Sequence, residues 1–182
     1  MNPGRMYGIN KLKVENKAMA YHHLHGWPVT IVRPSSCYGA QRAIFREIGV
    51  ESSWIDRIQK GKPFATGNPQ LVRNVLHVRD AALGFVLMML HPERTVGQAY
   101  NLVGSSTLSW GQWHRAVMHV LGKEVETVEI PIETLEAYGC PSLEQFKMSW
   151  QYHGFYSGEK LLRHLPEFTE GVPLYDGIAE QL

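Results

Sequence analysis

Val29-Thr30-Ile31-Val32-Arg33-Pro34, running on into Ser35-Ser36-Cys37-Tyr38-Gly39, is the stretch that decides the fold of this chain. An unbroken β-branched run, with no polar alternation, is the pattern of a strand buried on both faces of a parallel sheet. The loop that follows such a strand lies at its C-terminal end, where ligands bind in open α/β sheets. Upstream, Tyr7, Lys11, Val14, Ala18 and Tyr21 recur at four-and-three spacing and predict a helix over 7–25 that Gly26 stops. Within it, Tyr7-Gly8-Ile9-Asn10-Lys11 sets a phenol and an ammonium on one helix face, a turn apart.

Downstream, a helix is expected over 52–60, with Trp54, Ile55 and Ile58 on its apolar side and Gly61 as its stop. A strand over 72–78 leads to Asp80, placed to cap a helix over 81–90 that Pro92 ends. Further strands are expected over 99–103 and 125–130. Between them Ser109-Trp110-Gly111-Gln112 has capping-box spacing and opens a helix to Leu121, closed by Gly122. Ser142-Leu143-Glu144-Gln145 repeats that spacing, and Ser157 is placed to cap a helix through Leu165 that Pro166 terminates. Strand–helix alternation through residue 121 argues an α/β fold, with helices covering a small parallel sheet.

Composition narrows the function classes. A chain of 182 residues supports a sizeable core. A net charge of +1, with both signs interspersed, lacks the footprint of nucleic-acid or membrane-surface binding. Two cysteines, Cys37 and Cys140, are too few for a disulfide framework and read as reduced thiols of a cytoplasmic protein. Residues 1–5 lack the apolar segment of a secretory leader. The longest apolar run, Ala81 to Leu90, would span only about 15 Å as a helix, half of a bilayer core. His22, His23 and His25 lack an i,i+4 pair and an acidic neighbour, so no metal site is expected. Trp110, Trp113 and His114 read as a packed helix face.

The Tyr7–Lys11 pair has a clear chemical use. A free phenol, with a pKa near ~10, is a poor proton acceptor at neutral pH. A nearby ammonium favours the phenolate and brings the group closer to acid–base work on a hydroxyl or carbonyl.

Tyr7-Gly8-x-x-Lys11-x-x-x-Glu15, a β-branched strand ending Arg33-Pro34, and a Tyr38-Gly39 loop together resemble the extended short-chain dehydrogenase/reductase family, the NAD(P)-dependent nucleotide-sugar epimerases and dehydratases. Arg73-Asn74-Val75-Leu76-His77-Val78-Arg79-Asp80 is similar to that family's Arg-x-x-x-His-Val-x-Asp stretch. The resemblance implies a partial Rossmann-like, doubly wound parallel sheet with a small α/β substrate-binding region. It implies Tyr7 and Lys11 as catalytic residues that also contact NAD or NADP, with Pro34 and Cys37 beside the nicotinamide. Ser36 and Arg73 become the substrate residues, the arginine on phosphate oxygens, where its planar fork donates two parallel bonds. His77 fills a structural slot.

In that family the Tyr-x-x-x-Lys helix follows a glycine-rich cofactor-binding half. Here it begins at residue 7, and no Gly-x-Gly-x-x-Gly or Gly-x-x-Gly-x-x-Gly cluster occurs. The resemblance thus implies a C-terminal portion: residues 1–48 as a remnant of the NAD(P)-binding domain and 49–182 as the substrate-binding region. Such a truncated oxidoreductase is expected to be inactive alone. The alternatives are one half of a split enzyme and a non-catalytic binding or interaction module. A strand shorn of its usual neighbours exposes an unpaired edge, so a dimer or a partner chain is expected. In the family the glycine turn supplies most pyrophosphate contacts. Titrating the isolated chain with NADH, followed by its fluorescence, should therefore show negligible binding; micromolar affinity, about −8 kcal/mol, would overturn this expectation.

Overall fold

The computed structural model describes residues 3–40, 44–47, 49–50, 52–140, 143, 147 and 150–182. In chain order the elements are α1 (Pro3–His25), β1 (Ile31–Pro34), β2 (Ser36–Tyr38), β3 (Phe45–Arg46), β4 (Gly49–Val50), α2 (Ser53–Gln59), β5 (Phe64–Thr66), β6 (Val72–His77) and α3 (Val78–Leu90). They continue with α4 (Pro92–Thr95), β7 (Ala99–Leu102), β8 (Thr107–Ser109), α5 (Trp110–Val120), β9 (Thr127–Glu129), α6 (Ile132–Ala137), α7 (Glu159–His164) and α8 (Leu174–Ala179). The class is α/β with small parallel pairings, as the alternation of elements predicts.

β1 pairs in parallel with β7, and β2 pairs in parallel with β6. Only Ser35 separates β1 from β2, and its N–H donates to the Leu102 carbonyl at 2.9 Å. The amides bound to β7 belong to alternate residues, Ile31 N–H donating to Gln98 and Ser35 N–H to Leu102, so the proline between them takes no bond from that ladder, and the chain joins β6 at Ser36. β8 closes the other edge of β6 antiparallel, and β5 pairs in parallel with β9.

β6 divides two cores. Side chains alternate across a strand, so Val75, 3% exposed, faces Tyr38, Trp110, Trp113 and Val117. Leu76, fully buried, faces Tyr100, Leu102, Leu161 and Leu165 on the other side. In the first core Phe45 stacks on Trp113, and the Trp113 indole N–H donates to the Phe45 carbonyl at 3.0 Å. That core also buries a polar cluster: Glu47 accepts from the Thr66 hydroxyl and lies 3.2 Å from His114 Nε2, all three about 1% exposed. The α5 capping box forms in full, the Ser109 hydroxyl accepting from Gln112 N–H and the Gln112 carboxamide from Ser109 N–H.

Several expectations need correction. α3 begins at Val78, and its cap is His77, whose Nδ1 accepts the Arg79 N–H at 3.3 Å. Asp80 is not the cap: it lies buried in the first turn, accepting from Gly171 N–H at 2.9 Å and Val172 N–H at 3.4 Å. Val29–Val32 are half-buried rather than sealed on both faces, and the strand starts only at Ile31 and, among the described residues, pairs along one edge. α7 starts after Gly158, and Ser157 serves it from one residue upstream, its hydroxyl accepting the Glu159 N–H at 3.3 Å. The Ser142 capping box lies outside the described residues.

Gly39 turns the chain out of β2 at φ +142°, a conformation side chains disfavour. A Cβ there would stand 2.4 Å from Val78 Cγ2 and 2.9 Å from His77 Nε2. Gly39→Ala should cost about 2–4 kcal/mol in urea unfolding. Gly8→Ala, on the open face of α1 where nothing lies within 4 Å, should instead add about 0.5–1 kcal/mol.

Candidate functional site

α1 carries Tyr7 and Lys11 on one stripe, as the spacing predicts, with the Lys11 ammonium 5.5 Å from the Tyr7 ring centroid. Tyr7 is 66% exposed. Among the described residues, no hydrogen bond or ion pair engages either side chain. One turn further along the stripe, Glu15 meets Arg33. Arg33 Nε donates to both carboxylate oxygens, at 2.9 and 3.1 Å, and its terminal nitrogen donates to Oε2. Hydrogen bonding to Arg33 holds the Glu15 carboxyl below its usual range, and Glu15 in turn raises the guanidinium.

Pro34 closes β1 in an exposed position directly after Arg33. Ser36 and Cys37 follow on β2, in register with Val75 and Leu76, both half-buried. Cys37 packs against the second core, and no disulfide engages it.

Arg73 sits on β6, two residues before Val75 and hence on the same face. Its guanidinium carbon lies 5.0 Å from the Trp110 ring centroid. The 153–156 segment runs beside it: Gly154 N–H donates to the Val72 carbonyl at 2.8 Å, and Tyr156 N–H donates to Asn74 Oδ1 at 2.7 Å. A Cβ on Gly154 would come within 2.8 Å of the guanidinium. Burial pulls Arg73 below the ordinary arginine range, the phenol of Tyr156 and the Glu47 carboxylate acting the other way. Its Nε is buried with no hydrogen-bond partner. The Glu47 carboxylate acts on it as a counter-charge, while the buried Nε is left without a hydrogen bond, a costly arrangement for a desolvated donor.

The structure thus sets Tyr7 with Lys11 on α1, and on the β2–β6 pair it puts Ser36 on the same face as Arg73 while Cys37 lies on the opposite face with the second core. The Glu15–Arg33 fork joins α1 to the strand that leads into β2. Tyr38 has a different character from Tyr7. Burial first, then the Asp80, Glu170 and Glu180 carboxylates, push its phenol up to about 12, so it stays protonated. His77 is buried and its imidazole is held below its ordinary value by desolvation. No cluster of three or more metal-binding side chains occurs among the described residues. Sequence reasoning missed Trp110 beneath Arg73, and nothing in local spacing pairs residues 37 positions apart.

The profile of the NAD dependent epimerase/dehydratase family matches residues 1–103, more than half of the chain. The chain belongs to the NAD-dependent epimerase/dehydratase family. A Methanocaldococcus jannaschii protein assigned as a UDP-glucose 4-epimerase is 32% identical over 83 residues, 45% of this chain and 27% of that protein. Among solved structures, RMD from Pseudomonas aeruginosa complexed with NADPH superposes at a TM-score of 0.71 and 18% identity, covering 96% of this chain and 53% of that one. UDP-glucuronic acid 4-epimerase from Bacillus cereus, in complex with UDP-glucuronic acid and NAD, gives 0.70 at 19% identity, with 96% and 50% covered. This family member therefore spans about half the length of those structures.

The residues suit one end of an NAD(P) molecule. The exposed Tyr7 hydroxyl and the Lys11 ammonium over its ring are donors that an incoming ligand could meet. The pyrophosphate end finds no glycine turn in this sequence. Arg73→Met should raise the melting temperature of the unliganded chain by about 2–6 °C, because it removes a desolvated guanidinium with an unbonded Nε while keeping an apolar stem on Trp110. A fall of several degrees in a thermal scan would mean that Arg73 is compensated within the fold.

Proposed function

We propose that this chain supplies the acid–base and substrate-holding residues of an NAD(P)-dependent nucleotide-sugar epimerase or dehydratase. The observation that carries the reading is Arg73, half-buried on Trp110 with an unpartnered Nε. Its unmet demand is for a planar-oxygen anion, and a nucleotide diphosphate meets it bidentately.

In this reading, Arg73 and the Ser36 hydroxyl hold the diphosphate and fix the sugar's approach. Tyr7 passes a proton to or from the reacting sugar oxygen, and Lys11 favours the phenolate that makes this possible. Pro34 and Cys37 line the nicotinamide side. NAD(P), when bound, supplies the hydride acceptor and donor. Residues 1–48 form the cofactor side and 49–182 the substrate side of the site.

Residues 1–182 hold no glycine cluster, so this reading leaves the pyrophosphate contacts to residues outside them and expects no turnover from these residues alone. Leu12, Val14, Leu24 and Trp27 are exposed on and beside α1, and β1 is paired along one edge among the described residues. Both surfaces suit a polypeptide neighbour, a second copy or a cofactor-binding half.

Calorimetry with UDP on the chain alone tests the substrate side. Arg73→Met should weaken binding by about tenfold or more, the loss expected for a charge-assisted hydrogen bond, and Tyr7→Phe should leave it unchanged. With a cofactor-binding half added back, Tyr7→Phe should lower turnover by about 10²–10⁴-fold. No UDP binding by the parent, or an active Tyr7→Phe enzyme, would end this proposal.

A further inference from the structure

The Glu15–Arg33 fork is placed to act on Lys11 as well as on the fold. Tyr7, Lys11 and Glu15 follow one another at intervals of four residues along α1, so Glu15 is as near a neighbour of Lys11 as Tyr7 is. A carboxylate at that distance competes with the Tyr7 ring for the ammonium. In the structure Glu15 does not take Lys11. Both of its oxygens are occupied by Arg33, and the Lys11 ammonium lies over Tyr7. Arg33 reaches Glu15 from the end of β1, directly before Pro34, and the two side chains are 52% and 22% exposed. From Glu15, α1 runs on for about 12 Å to Tyr7.

We propose that Arg33 is a positioning residue that occupies the Glu15 carboxylate and thereby keeps the Lys11 ammonium available to Tyr7. This deepens the assignment of Tyr7 and Lys11 as the acid–base pair and rests on it. The physical argument is one of competing partners. A guanidinium fork outbids a flexible ammonium for a carboxylate because its parallel donors are pre-organised. A Lys-to-Glu pair at i,i+4 is moreover the weaker orientation on a helix. With Arg33 gone, Glu15 is left without a counter-charge, and Lys11 is the cation one turn away. Its attraction to the carboxylate is then of the same order as its attraction to the phenol ring, so Lys11 divides between them.

The test is proton NMR of the whole chain, which requires no activity. In the parent, the Lys11 ε-methylene signals should be shifted upfield by the Tyr7 ring current and should show a cross-relaxation contact to that ring. In Arg33→Met the upfield shift should fall to about half, as expected for two partners of like strength, and a contact from Lys11 to the Glu15 γ-methylene should appear. Glu15→Gln combined with Arg33→Met should restore the ring contact, because the competing charge is gone. If Arg33 only tethers α1, the double variant is no better than the single one. That result, or an Arg33→Met spectrum with the Tyr7–Lys11 contact unchanged, overturns the proposal. Arg33→Lys, which keeps the charge without the fork, should fall between parent and Arg33→Met, and it serves if the Met variant does not fold. Turnover in a reconstituted enzyme is a separate readout: if every variant is inactive while the NMR pattern holds, the catalytic assignment of the pair fails and the positioning of Lys11 stands.

Discussion

Burial of both faces of β6 is the constraint from which the rest of the architecture follows. Val75 and Leu76 are consecutive, and each is the centre of a different core. Because side-chain direction alternates with every residue, a one-residue slip of β6 against β2 would exchange the contents of both cores at once. Register is therefore strongly specified at Ser36 with Val75 and Cys37 with Leu76, and Arg73 inherits its face from that register. The antiparallel β8 on the other edge delivers α5 and so Trp110. The aromatic support under Arg73 is thus a consequence of strand pairing rather than a separate feature.

α1 stands in contrast. Much of its apolar surface is exposed; the Glu15–Arg33 fork ties it to β1, and near its end His22 Nδ1 lies 2.6 Å from the Trp27 carbonyl just past the helix. An exposed ion pair contributes little to stability in general. A fork with both oxygens engaged is the geometry in which it matters most, and here its effect falls on orientation more than on free energy. The chain belongs to the NAD-dependent epimerase/dehydratase family and spans about half of each of those solved structures.

How much of this was legible in the sequence depended on distance along the chain. The Tyr7–Lys11 stripe and the Ser109–Gln112 box are set by contacts within a few residues, and both are found where spacing put them. Asp80 was misread because an aspartate before an apolar run is a cap by every local rule. The competing partners, Gly171 and Val172, lie 91 and 92 residues away. The β-branched run Val29–Val32 predicts a strand sealed on both faces because β-branching reports a strand's preference, whereas burial depends on which neighbours are present. Glu15 and Arg33 were both visible within the motifs, but their pairing depends on how α1 crosses β1, which neither motif encodes.

The single residue between β1 and β2 carries a further consequence. Ser35 is a splice where one continuous segment passes from β7 to β6, with its own amide still bound to Leu102. Four residues on one side and three on the other are locked in parallel register, so the segment has no slack in which to absorb a change of length. Lengthening or shortening it by one residue would rotate everything downstream to the opposite face while leaving Arg33 in place. A substitution along Pro34-Ser35-Ser36-Cys37 leaves that register intact, whereas a change of length does not. The segment works as a fixed spacer that keeps the helix-borne pair and the strand-borne arginine in phase.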